Sequence, residues 1–248
     1  MPHYRRFSDA SVSEKLLDSM FLLMIGVAYF FALLHMYYSH EGRDGKPGLS
    51  VQDIVIAYHG SHNQTRLGAA INGPMGPNLP SDAAKREVLD WIGNGADESM
   101  YKTRIRPIFE DNCIMCHSAA SGMNIPPLET YADVTILTEM DTGATIPALV
   151  RVSHIHLFGI AFILFFVGRI FLLCEMPVMW KRIAVVIPFV AVLLDILSWY
   201  ITKIVPNFAY VVIFAGGLMG ISLWLQIVLS GYQMWFSQKF GKSKKGEG

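Results

Sequence analysis

Residues 153–174 read Ser-His-Ile-His-Leu-Phe-Gly-Ile-Ala-Phe-Ile-Leu-Phe-Phe-Val-Gly-Arg-Ile-Phe-Leu-Leu-Cys, with Arg169 the one Lys, Arg, Asp or Glu in the run. A helix crosses about 30 Å of hydrocarbon with roughly 20 apolar residues, and this stretch has that length. Three more stretches approach it, at 16–38, 183–200 and 208–229. The 183–200 stretch is the shortest and contains Pro188, so a kink is expected there; a membrane helix tolerates proline because neighbouring groups satisfy the carbonyl it frees. The composition agrees. Of the 248 residues, 52% are hydrophobic and 16% charged, against a usual charged share of about 25%, so part of this chain has lipid as its solvent. The formal net charge of zero offers no basic field for nucleic acid.

Charge speaks instead about orientation. Arg5, Arg6 and Lys15 precede the first run, Lys181 and Arg182 fill the turn between the second and third, and Lys239, Lys242, Lys244 and Lys245 follow the fourth. If the four runs alternate, all three clusters share one side, which the positive-inside rule makes cytoplasmic together with both termini. The first run is longer than the roughly 7–15 residues of a signal-peptide core and no small-x-small site follows it, so it is expected to stay as a signal anchor. Tyr37, Tyr38, Trp180, Trp199, Tyr200, Tyr210 and Trp235 fall near run ends, where amphipathic rings prefer the headgroup layer. Gly216 and Gly220 form a small-xxx-small pair that lets another helix approach.

The organisation expected is therefore a cytoplasmic N-terminus at 1–15, membrane helices at 16–38, 153–174, 183–200 and 208–229, an insert at 39–152, and a cytoplasmic tail at 230–248. The insert has the length of one small domain and is punctuated by Gly, Pro, Asp and Asn. Gly42 to Gly48 reads as a linker, 51–57, 83–92 and 100–109 as short helices, and 124–128 as a loop stiffened by Pro126 and Pro127.

Within the insert lies Cys113-Ile114-Met115-Cys116-His117. Two thiols at this spacing add to the two vinyl groups of a haem, and the histidine that follows is placed to bind the iron. The competing readings are weaker. A zinc site needs further Cys or His nearby, a thioredoxin-like pair needs a βαβ setting, and a disulfide explains nothing about His117. Cys174, the remaining cysteine, ends an apolar run and reads as a packed thiol.

Around the motif, residues 106–112 (Arg-Pro-Ile-Phe-Glu-Asp-Asn) and 124–128 (Asn-Ile-Pro-Pro-Leu) resemble the haem-binding half of a class I cytochrome c, the likeness covering about 101–131. The four apolar runs and the charge-based orientation give a mainly α fold, a four-transmembrane-helix bundle with a small α-helical, periplasmic domain between helices 1 and 2, and the resemblance implies that this domain is cytochrome c-like. It implies one covalent haem c, and with the topology a place in a bacterial inner membrane. The family usually supplies a distal methionine well downstream of the histidine, and here the chain departs from it. Met123 is too close to His117, and Met140 lacks the flanking turn. Gly73-Pro74-Met75-Gly76, followed by 82–92 and Gly95-Ala96, is similar to the ligand turn and closing helix but lies upstream, as in a permuted order. His59 rivals Met75 as the distal ligand.

Three histidines fall at the periplasmic membrane edge: His35 near the end of the first run, His154 and His156 at the start of the second. Imidazoles at that depth could hold a second haem, of b type, or another metal, or simply face headgroups. The functional expectation is an electron carrier between a membrane donor, such as quinol or another respiratory subunit, and a periplasmic redox protein. A haem-based sensor, a structural or assembly subunit, and a metal-dependent membrane oxidase are the alternatives.

Overall fold

The computed structural model describes residues 5–123 and 125–236. Asn124 and the basic tail residues Lys239, Lys242, Lys244 and Lys245 lie outside them. In chain order the helices are α1 (Val12–His40), α2 (Val51–Tyr58), α3 (Arg66–Asn72), α4 (Asp82–Gly93), α5 (Glu98–Met100), a π-turn at Tyr101–Ile105, α6 (Arg106–Asn112), α7 (Tyr131–Leu137), α8 (Ile146–Phe171), α9 (Val178–Thr202) and α10 (Ala209–Trp235). There is no strand among the described residues. The chain divides into two compact units: Met1–Tyr38, Ile146–Thr202 and Asn207–Gly248 form one, Ser39–Thr145 and Lys203–Pro206 the other.

The first unit is the membrane bundle. Its four helices, α1, α8, α9 and α10, are each long and apolar enough to span a bilayer, and they run beyond the expected limits at several ends. The largest difference is at α8, which begins at Ile146 rather than 153. Pro147 fits its first turn, where the missing N–H has no partner to lose. The correction moves His154 and His156 from the helix start to its third turn, about 12–15 Å along the axis at 1.5 Å per residue. Cys174 falls past the end of α8, buried with its Sγ 3.7 Å from Ser230 Oγ.

Polar pairs fix one end of this bundle. Arg6 meets Glu175 at 3.2 Å, the Glu175 N–H donates to Gln233 Oε1, and Trp235 Nε1 donates to Ser19 Oγ at 2.8 Å. The start of α1, the α8–α9 turn and the end of α10 therefore meet, as alternating helices require. Pro188 sits inside α9 and leaves the Ala184 carbonyl without its backbone donor; the buried Gln226 of α10 supplies one from Nε2 at 2.8 Å. Gly220 permits the close approach expected of it, since a Cβ there would collide with the Tyr29 hydroxyl of α1, whereas Gly216 faces open space.

The second unit has its own core. Trp91 of α4, Tyr101 and Ile105 of the π-turn, Phe109 of α6 and Val134 of α7 are each at most 2% exposed. Trp91 Nε1 donates to the Asp97 carbonyl at 2.9 Å and Tyr131 OH to that of Ala96 at 2.8 Å, so both large rings bury with their polar atoms satisfied. The expected helix at 100–109 is longer and wider: Arg106 N–H bonds Tyr101 O, an i to i+5 step just before Pro107, which cannot donate to the normal ladder. Two short helices, α3 and α7, were not anticipated. Thr65 and Thr130 cap them, the latter in a capping box with Asp133.

The α9–α10 connection belongs to this second unit. Lys203 Nζ donates to the Thr142 carbonyl at 2.7 Å, and the Lys203 carbonyl accepts from His59 Nδ1 at 2.9 Å. Around it the segments near His59 and Asp141 interlock. Gly60 (φ +91°) and Gly143 (φ +69°) have backbone conformations that disfavour side chains, and a Cβ on either would strike the opposite backbone.

Candidate functional site

Helix α6 ends at Asn112 and the next turn carries the cysteine-histidine motif. Cys113 N–H still bonds the Phe109 carbonyl at 2.8 Å; the N–H groups of Cys116 and His117 then bond back to the Cys113 carbonyl at 3.1 and 2.8 Å. One tight turn therefore presents both thiols and the imidazole. Cys113 packs against the unit's core, whereas Cys116 is exposed.

The imidazole is fixed from its far side. His117 Nδ1 donates to the Pro126 carbonyl at 2.7 Å, and Leu128 N–H bonds the His117 carbonyl at 2.9 Å. A carbonyl only accepts, so Nδ1 carries the proton and Nε2 is the nitrogen left to bind a metal. This outer hydrogen bond, fixing ring and tautomer, is the usual support of a metal-binding histidine. The Pro-rich segment read from sequence as a stiff border is thus also the acceptor that orients His117.

The thiols are not joined to each other. Burial pushes the Cys113 thiol above its ordinary value, with Cys116 adding to the rise. Beside the motif, Met115 is 89%, Met123 50% and Ile125 39% exposed. Apolar side chains left outward around one turn are what a large apolar macrocycle would cover. The residues present fit a covalently attached haem: two thiols, one oriented imidazole and apolar surroundings.

The two distal-ligand candidates occupy different neighbourhoods. Met75 is exposed in the turn between α3 and α4, its N–H bonded to Ala70 O at 2.9 Å and its sulfur 3.9 Å from Asn78 Nδ2. Leu67 and Ile71 before that turn, and Leu79 after it, join the same core that Cys113 packs against. His59 is half-buried, tied through Nδ1 to Lys203 and lying 4.4 Å, ring to ring, from His62, a neighbour sequence reading passed over. Met140 is exposed and paired by a single bridge to Thr65.

The membrane-edge histidines are exposed on their helices. His154 and His156 donate from Nδ1 to the carbonyls of Arg151 and Val152, at 2.8 and 3.0 Å, within α8 itself. His156 also meets Trp199 of α9 edge to face at 5.7 Å. Among the described residues no group of three or more His, Cys, Asp or Glu is placed to hold a metal ion.

Comparison with known proteins bears on the bundle. Residues 128–241, just under half of the chain, match a family described as a transmembrane helical domain. The match takes in α7 to α10 and stops short of the cysteine-histidine motif. No curated protein and no solved structure matches. The chain carries a transmembrane helical domain, and its surroundings include a lipid bilayer.

Proposed function

We propose that this chain is a membrane-anchored c-type cytochrome of a bacterial inner membrane, its second unit periplasmic and both termini cytoplasmic. In this reading Cys113 and Cys116 hold one haem by thioether bonds and His117 Nε2 binds its iron. When bound, the haem supplies a one-electron redox couple. The chain's own residues do the rest: Pro126 orients the proximal imidazole, the core around Phe109 and Trp91 holds the attachment turn, and the membrane helices anchor the chain in the bilayer. The electrons pass from a membrane donor, quinol or a respiratory subunit, to a periplasmic redox protein.

The observation that carries the reading is the His117 Nδ1 to Pro126 hydrogen bond of 2.7 Å beside two unpaired-to-each-other thiols. A sensor, a structural subunit or an oxidase would use the same motif differently, and coordination separates them. The optical spectrum is expected to show a six-coordinate, low-spin haem that does not take up carbon monoxide; a high-spin, carbon monoxide-binding haem would transfer the assignment to sensing or catalysis. The basic tail and the Arg6 and Lys181 end of the bundle support the orientation through the positive-inside rule.

For the distal ligand Met75 is preferred over His59, because its turn is flanked by residues of the haem-side core while His59 is committed to Lys203. Met75→Ala is expected to abolish the weak sulfur-to-iron charge-transfer band at the red end of the oxidised spectrum and to lower the reduction potential, since methionine ligation raises it. A spectrum unchanged in Met75→Ala and altered in His59→Ala would assign the ligand to His59. A b-type haem at His35, His154 or His156 is a separate proposal, read from the same spectra as a haem that acid-acetone extracts.

A further inference from the structure

The membrane bundle contains a carboxylate that the haem reading does not use. Asp195 lies on α9, seven residues before its end at Thr202, about 10 Å along the helix axis. A carboxylate within a membrane helix is costly to desolvate, and such residues mark ligand or proton sites by default. No arginine or lysine neutralises this one, because the salt bridges among the described residues all lie elsewhere. Its Oδ1 accepts a hydrogen bond from Trp199 Nε1 at a long 3.3 Å.

Trp199, which holds it, is in turn met by α8. Trp199, itself buried, stands edge to face with His156 of α8 at 84°. The His156 Nδ1 proton is used by the Val152 carbonyl, so Nε2 is the nitrogen directed away from the helix, on a residue exposed towards lipid. From α1, Tyr29 is near enough to feel the Asp195 charge, and it is seated on Gly220 of α10, where any Cβ would strike its hydroxyl. A carboxylate and an imidazole thus meet one indole within the bundle, with a phenol of α1 in electrostatic reach of the carboxylate.

We propose that Asp195, Trp199, His156 and Tyr29 form a binding site for the ring of a lipid-soluble quinol, with the Asp195 carboxylate accepting a hydrogen bond from a quinol hydroxyl. The site takes a flat aromatic ring because indole and imidazole meet edge to face beside the carboxylate, and a hydroxyl-bearing one because its acceptor is a carboxylate with a single long hydrogen bond among the described residues. A bare cation fits poorly, since hard cations take six to eight oxygens or keep a water shell and among the described residues no group of three or more acidic, histidine or cysteine ligands is placed here. Access is lateral, since His156 is exposed on α8 beside the buried Trp199. The inference rests on the electron-transfer reading for its purpose, since it names that reading's membrane donor, but the binding itself needs no haem.

The test is a titration of the full-length chain in lipid nanodiscs with a decyl-tailed benzoquinol kept reduced under argon, followed by tryptophan emission. Saturable quenching at one quinol per chain is expected, and Trp199→Phe should remove most of it. Asp195→Asn preserves shape and the Trp199 bond but removes the charge, and is expected to weaken binding at least tenfold; Leu193→Ala, on the lipid-exposed face of α9, should leave it unchanged. Tyr29→Phe, expected to weaken binding severalfold, serves if Asp195→Asn does not fold. Quenching that never saturates, or equal affinity in wild type, Asp195→Asn and Tyr29→Phe, overturns the site. The Cys113→Ala/Cys116→Ala chain should bind as the wild type does. Binding without haem in the wild type would then defeat the cytochrome reading alone, and haem without binding would defeat the quinol site alone.

Discussion

Protein carrying Cys113→Ala and Cys116→Ala is expected to retain no haem after denaturation, a complete loss of peroxidase-type haem staining on a denaturing gel at unchanged membrane insertion. The thioether bonds are the only covalent link the reading allows, and the four membrane helices lie in a separate unit with its own packing. Each single alanine variant leaves one thiol, so reduced but measurable staining is expected from either. The two sites are not equivalent. Cys113 is partly buried against the core and contributes packing as well as a bond, so its loss should also lower domain stability, whereas Cys116 is exposed and should cost attachment alone. Staining that persists in the double variant contradicts covalent attachment at this turn.

Trp91→Ala is expected to destabilise the second unit by about 3–5 kcal/mol, the range for removing a fully buried large aromatic side chain. The ring is wholly buried, contacts Tyr101 at a centroid distance of 5.8 Å, and its N–H satisfies the Asp97 carbonyl. Because a domain is stable by about 5–15 kcal/mol in all, this one change should bring the unit close to unfolding. Lys102→Ala is the contrast. Its ion pair with Glu98, at 2.7 Å, joins two exposed side chains one helical turn apart, and such pairs are worth about 0.3–0.5 kcal/mol. Denaturant titration of the detergent-solubilised protein, followed by limited proteolysis within the insert, separates the two. A Trp91→Ala midpoint no lower than that of Lys102→Ala would mean that α4 does not brace the attachment helix.

The bundle could be read from sequence because membrane solvation leaves so coarse a signal: uninterrupted apolar runs, basic residues at one end, tyrosine and tryptophan near the edges. Its ends were harder. The apolar run begins at Ser153, yet α8 continues outward to Ile146, where Pro147 suits a first turn. The short helices α3 and α7 escaped because each has only two or three core positions, too few for a periodic pattern; the Thr130 and Asp133 capping pair was the available clue to α7. At the candidate site the motif was plain, since its residues are consecutive. The role of the Pro126 carbonyl was not, because any residue type carries a carbonyl and only the folded loop aims it at His117. Nor could sequence tie Lys203 to His59, a contact between residues 144 apart made through backbone atoms of an unremarkable loop. The 82–92 segment was legible as a helix, and in the structure α4 packs its Val88 and Trp91 into the core that holds Phe109 and that Cys113 packs against.

The most direct measurement is the alkaline pyridine haemochrome of the purified wild-type chain, quantified against protein and repeated after acid-acetone extraction. A reduced spectrum of c type, at one haem per 27.7 kDa chain and resistant to extraction, is the expected result. A chain matured in a cytochrome c-producing host that shows no haem, or only haem that the solvent removes, would contradict attachment through Cys113, Cys116 and His117.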